Sequence, residues 1–175
     1  MATTTDSIPV HSVTGTMTDE RRNGKQRWTA MLAAARDEYV SEASRGRAGR
    51  AVVARYADRL DLLIGDLVAQ ARGETSVAVA VCAVGGYGRR ALCLHSDLDL
   101  LIVFNGVIGP PEERFVKAVL QPLWDLRLEI GQHVRELSEL DDIDLGNPEF
   151  LLSLLDVRPL AGDSDLLDVI LAHAG

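Results

Sequence analysis

A diglycine, Gly85-Gly86, stands ten residues ahead of an Asp97-Leu98-Asp99 triplet that opens an apolar run through Phe104. Side chains alternate along a strand, so the two carboxylates would share one face. Like charges held that close repel and raise their own pKa values. A divalent cation relieves the repulsion. The pattern therefore predicts a Mg²⁺ site at Asp97 and Asp99, beside a glycine-rich turn suited to a phosphate chain. Gly85 and Gly86 let backbone approach a ligand closely, and the amides of such a turn form an anion-binding corner. Ser96 would add a hydroxyl there, and Arg89 and Arg90 would offset phosphate charge. The glycines match neither a P-loop nor a dinucleotide fingerprint.

The stretches around this motif set the architecture. Residues 1–24 show little hydrophobic periodicity and predict a disordered leader. Trp28, Met31, Leu32, Ala35 and Tyr39 recur at helical spacing over 26–44, and a second helix is expected over 48–72, stopped by Gly73. Residues 76–84 form a near-continuous Val/Ala/Cys run, as in a strand buried on both faces. A short helix over 89–93 and a strand over 97–104 follow. A helix over 111–128, with Pro122 inside it, carries Phe115, Val119, Leu120, Leu123 and Trp124 as its apolar side. A strand over 130–137, a turn over 141–145, a short helix over 148–156, an extended piece over 157–161 and a helix over 164–172 complete the chain. The order predicts an α/β fold in three parts: leader 1–24, helical segment 25–73, and the motif-bearing domain 74–175.

With 175 residues and 47% hydrophobic content, the chain can bury a proper core. Its formal net charge of −8 argues against a nucleic-acid binder. Cys82 and Cys93 make neither a zinc set nor a disulfide framework, which points to a reducing cytoplasm. No stretch reaches the length of a membrane span, and no apolar signal core opens the chain.

The pattern Gly85-Gly86, ten residues, Asp97-x-Asp99 resembles the signature of the DNA polymerase β-like nucleotidyltransferase superfamily. The fuller string from Gly85 to Leu101 resembles one branch of it, the N-terminal domain of the bifunctional PII uridylyltransferase/uridylyl-removing enzyme. Leu123-Trp124-Asp125 with Gly131-Gln132-His133-Val134-Arg135 is similar to that family's Leu-Trp-Asp…Gly-His-Ser-Val-Arg segment. Residues 154–163 are similar to its Leu-Leu-Asp-Ala-Arg-x-Leu-Ala-Gly segment.

The resemblance implies a small mixed sheet with flanking helices. It also implies Mg²⁺-dependent transfer of UMP from UTP to a tyrosine of the PII signalling protein, with release of pyrophosphate. Asp97 and Asp99 would be catalytic and hold the metal, while Gly85, Gly86, Ser96 and Arg89 would bind the nucleotide. Nothing in the sequence looks like the family's HD hydrolase or ACT sensor domains, so a chain of this kind would be the transferase part of a longer protein. The superfamily usually supplies a third carboxylate from a later strand, for which Glu129 and Glu136 are the candidates. Ala91, Leu94 and the Gln132-His133 pair depart from the branch pattern, which bears on the acceptor rather than on the metal.

Overall fold

The structure is a computed structural model. It describes residues 13–47, 49–140, 152 and 154–174. Two long helices come first, α1 (Val13–Ser44) and α2 (Arg50–Thr75). Strand β1 (Val79–Ala83) leads into a single helical turn, α3 (Gly85–Gly88), and then β2 (Leu98–Phe104). Helix α4 (Pro110–Asp125) crosses to β3 (Ile130–Glu136), which runs into a 3₁₀ turn (Leu137–Leu140). Strand β4 (Arg158–Gly162) and helix α5 (Ser164–Ala174) follow. The strands form one sheet in the order β3-β2-β1-β4. β1 is antiparallel to β2 and β4, and β2 is parallel to β3, so the sheet is mixed as expected.

Several boundaries differ from the sequence reading. Helix α1 begins at Val13, inside the stretch expected to be a disordered leader. Adding polar turns to a helix already nucleated costs far less than starting one, so weak periodicity did not end it. Residues 1–12, the turn over 141–145 and most of the helix over 148–156 lie outside the described residues. Helix α2 runs past Gly73 to Thr75. It stops where Ser76 turns left-handed (φ 53°) and donates its amide to the Arg72 carbonyl, 2.9 Å away. The extended piece expected at 157–161 is β4, a full member of the sheet.

The sheet buries both faces, as the β1 run implied. On one face Val79, Val81 and Ala83 of β1 and Leu98, Leu100, Ile102 and Phe104 of β2 pack under α1, α2 and α4. Trp28, Leu60, Ile64, Phe115 and Leu120 fill that layer. Residues on both sides of position 73 share this one cluster, so the N-terminal helices and the sheet have a common core. On the other face Ala80, Cys82, Leu101 and Val103 meet Leu166 and Ile170 of α5, with Leu140 and Leu154. Cys82 is a core residue there, and its burial pushes the thiol up to about 12. Trp124, expected on the apolar side of α4, is 46% exposed. Nine residues separate it from Phe115, which turns it half a revolution away from the buried side.

One side chain ties the two layers together. Asp163 pairs with Arg72 at the end of α2, and its Oδ2 accepts the Val79 amide at 2.9 Å. Val79 is fully buried where β1 begins. Asp163→Ala leaves that amide without its partner, so unfolding free energy should fall by roughly 1–3 kcal/mol. Urea titration followed by circular dichroism measures it.

Candidate active site

The site grows out of the alternation in β2. Leu101 and Val103 point to the α5 face, and the same row continues through Asp99 to Asp97. Asp99 is half-buried within the strand, whereas Asp97 is exposed just before it. The row of apolar side chains thus runs out into two carboxylates at one end of the sheet.

Two glycines make room for Asp99. Gly131 is its register partner on β3. A Cβ on Gly131 would lie 2.3 Å from Asp99 Oδ1, and one on Gly85 would lie 3.3 Å from Oδ2. Gly85 also takes φ +54°, a left-handed conformation that favours glycine. The turn and Asp99 are therefore neighbours in space. A backbone bond from the Val84 amide to the Asp99 carbonyl (3.0 Å) fixes them to each other.

The electrostatics follow from this packing. Burial and the neighbouring Asp97 carboxylate push Asp99 above the ordinary carboxylate range, and His133 pulls it partly back. His133 is held down by burial and by Arg135, with Asp99 opposing. It is the register partner of Leu101 on the Asp99 face, so it stands one step further along that face. A raised folded-state pKa favours folding below the ordinary value of 3.8, and this contribution is lost as pH rises through the folded value. Asp99→Asn should accordingly raise the melting midpoint at neutral pH and match the parent at acid pH. Calorimetric melts at the two pH values check this.

The other expected residues fall in different places. The helical turn occupies 85–88 rather than 89–93, so the glycines themselves form it. Gly86 has open space where a side chain would stand. Ser96 is exposed beside Asp97, and its Oγ accepts the Cys93 amide at 3.3 Å. Arg89 and Arg90 form ion pairs with Asp156 and Asp58. Glu129 precedes Ile130, the partner of Leu98, so it lies at the same end of the sheet as Asp97. Glu136 does not: it pairs with Phe104 at the far end, and its Oε1 accepts the Ile108 amide at 2.9 Å. Among the described residues, no group of three Asp, Glu, His or Cys side chains is placed to hold a metal. The two aspartates alone supply hard oxygen donors on one face, and their mutual repulsion suits a divalent cation such as Mg²⁺.

Sequence reasoning passed over Gly131 as a packing partner of Asp99, and it passed over Asp61 altogether. Asp61 on α2 accepts the Tyr87 hydroxyl at 2.7 Å and a two-pronged contact from Arg158. Its signal was legible, because helical spacing sets Asp61 among Ala57, Ile64 and Val68 on the buried side of α2.

The mixed four-stranded sheet and its flanking helices are consistent with a small nucleotidyltransferase-like domain. No family model matches the chain. In sequence it is a relative of the bifunctional uridylyltransferase/uridylyl-removing enzymes, as the motifs implied. It is 32% identical over 131 residues to the enzyme of that name from Methylococcus capsulatus, covering 73% of this chain and 15% of that protein. It is 35% identical over 115 residues to the one from Novosphingobium aromaticivorans, covering 65% and 12%. For Cereibacter sphaeroides the figures are 41% over 90 residues, covering 50% and 10%. These matches span between 10% and 15% of the relatives' own length. No described helix is long and apolar enough to cross a membrane.

Proposed function

We propose that this chain is the nucleotidyl-transfer part of a uridylyltransferase, moving UMP from UTP to a tyrosine of a PII signalling protein in the cytoplasm. The observation that carries the reading is the Asp97/Asp99 pair, with Asp99 packed against Gly85, in a relative of enzymes named for uridylyl transfer. The acceptor hydroxyl oxygen forms a bond to the α-phosphorus of UTP. The bond from that phosphorus to the bridging oxygen breaks, pyrophosphate leaves, and the hydroxyl proton passes to solvent. Chemistry of this type is mostly positioning and electrostatics.

Asp97 and Asp99 would hold Mg²⁺, which supplies positive charge against the triphosphate and the leaving pyrophosphate. The Gly85-Gly86 turn lets backbone come close to the phosphates, and Ser96 offers a hydroxyl next to Asp97. Arg89 would have to leave Asp156 to reach phosphate, so its part is to exchange one anion for another. Removing Mg²⁺ with a chelator should abolish UTP binding, because the two carboxylates would then face the phosphates unscreened.

A labelling assay tests the reading. With PII as acceptor, Mg²⁺ and either α-labelled UTP or α-labelled ATP, label should enter PII from UTP by about tenfold over ATP or more. Equal use of the two nucleotides, with PII unlabelled, rejects the uridylyltransferase assignment. It would leave a transferase with a different acceptor, or a domain that only senses nucleotide.

A further inference from the structure

We infer that Arg158 and Asp61 are positioning residues that hold the glycine turn from behind. The inference rests on the transferase reading above and extends it to two residues far from the carboxylate pair in sequence.

Arg158 stands on β4 opposite Ala83, the last residue of β1 before the turn. All three of its guanidinium nitrogens are engaged. Nη1 and Nη2 donate to the two oxygens of Asp61 at 2.6 and 3.1 Å. Nη2 also donates to the Tyr87 carbonyl at 3.2 Å, and Nε donates to the Gly88 carbonyl at 3.1 Å. The guanidinium lies 5.4 Å from the centre of the Tyr87 ring, whose hydroxyl donates to Asp61. One rigid fork thus joins α2, β4 and the two carbonyls that close α3.

Those carbonyls set the orientation of the turn. Each peptide is planar, so fixing the Tyr87 and Gly88 oxygens fixes the Gly88 and Arg89 amides on the same planes. Both amides then close the turn on Val84 and Gly85, at 2.9 and 3.1 Å. Gly88 is what lets the chain entering β4 come this near, since a Cβ there would lie 1.9 Å from the Asp156 carbonyl oxygen. Packing alone could fill this space with an apolar side chain, but only a planar multi-donor group can aim two backbone carbonyls while neutralising Asp61.

The test uses Arg158→Lys, which keeps the charge and loses the fork, and Asp61→Asn, which keeps the shape and loses the counter-charge. Ile170→Val, a change in the core under α5, is the control for simple loss of stability. Hydrogen exchange reads the amides of residues 85–91, and calorimetry reads UTP with Mg²⁺. Both site variants should speed exchange of the turn relative to β1 and β2, and weaken UTP binding, each by about tenfold. Ile170→Val should lower the melting midpoint and move neither readout. Wild-type exchange at the turn in both site variants overturns the inference, and so does a loosened turn with undiminished UTP affinity. If the parent chain itself binds no UTP, the transferase reading fails. Exchange alone then still decides whether the fork holds the turn.

Discussion

Alanine at both Asp97 and Asp99 is expected to leave the chain folded and to cut nucleotidyl transfer by roughly a thousandfold or more. The two halves of that result have one cause. Asp99 is partly buried beside a like charge and sits above the ordinary carboxylate range, so its charged form costs the fold free energy. On the proposed reading, Asp99 is kept there for the Mg²⁺ and nucleotide it would bind rather than for the stability of the native state. The double variant should melt no lower than the parent. It should also lose UTP binding in the presence of Mg²⁺. Calorimetric titration and a thermal melt on the same samples read both. Unchanged UTP affinity would remove the proposed site outright.

Gly131→Ala is expected to lower transfer by about a hundredfold without removing any charged group. The added Cβ would lie 2.3 Å from Asp99 Oδ1, a distance no carbon atom tolerates, so the carboxylate must move. A displacement near one ångström is enough to spoil the alignment of reacting groups. Gly131 has an ordinary φ, so alanine brings no backbone strain of the kind Gly85 would suffer. Gly106→Ala is the matched control, because nothing lies within 4 Å of its new methyl. Steady-state kinetics of the three proteins, with the melts alongside, separate a misplaced carboxylate from a weakened fold. Full activity in Gly131→Ala would mean that Asp99 has a second usable position.

The carboxylate pair and its neighbouring turn could be read from residue order because both depend on local periodicity. Alternation placed Asp97 and Asp99 on one face, and the glycines announced a close approach. What approaches could not be read, since Asp99 meets Gly131 only once β3 lies parallel to β2. Asp61, Tyr87 and Arg158 come from α2, α3 and β4, and no spacing along the chain links them. Trp124 misled for a different reason: a large aromatic invites a core assignment, yet its angular position on α4 points it outward. Glu136 was credible as a third carboxylate only while the direction of β3 was unknown. Once the strand runs parallel to β2, its last residue is carried to the end of the sheet away from Asp97.

The row Val103, Leu101, Asp99, Asp97 also guards against misfolding. Shifting β2 by one residue against its neighbours would turn this row to the other face, under α1, α2 and α4. Asp99 would then sit unpaired in the apolar layer that now receives Leu98 and Leu100, and burying a bare carboxylate there is prohibitive. The side chains proposed for catalysis therefore proofread the strand alignment, and a variant that neutralises them gives the chain a second register to explore while it folds.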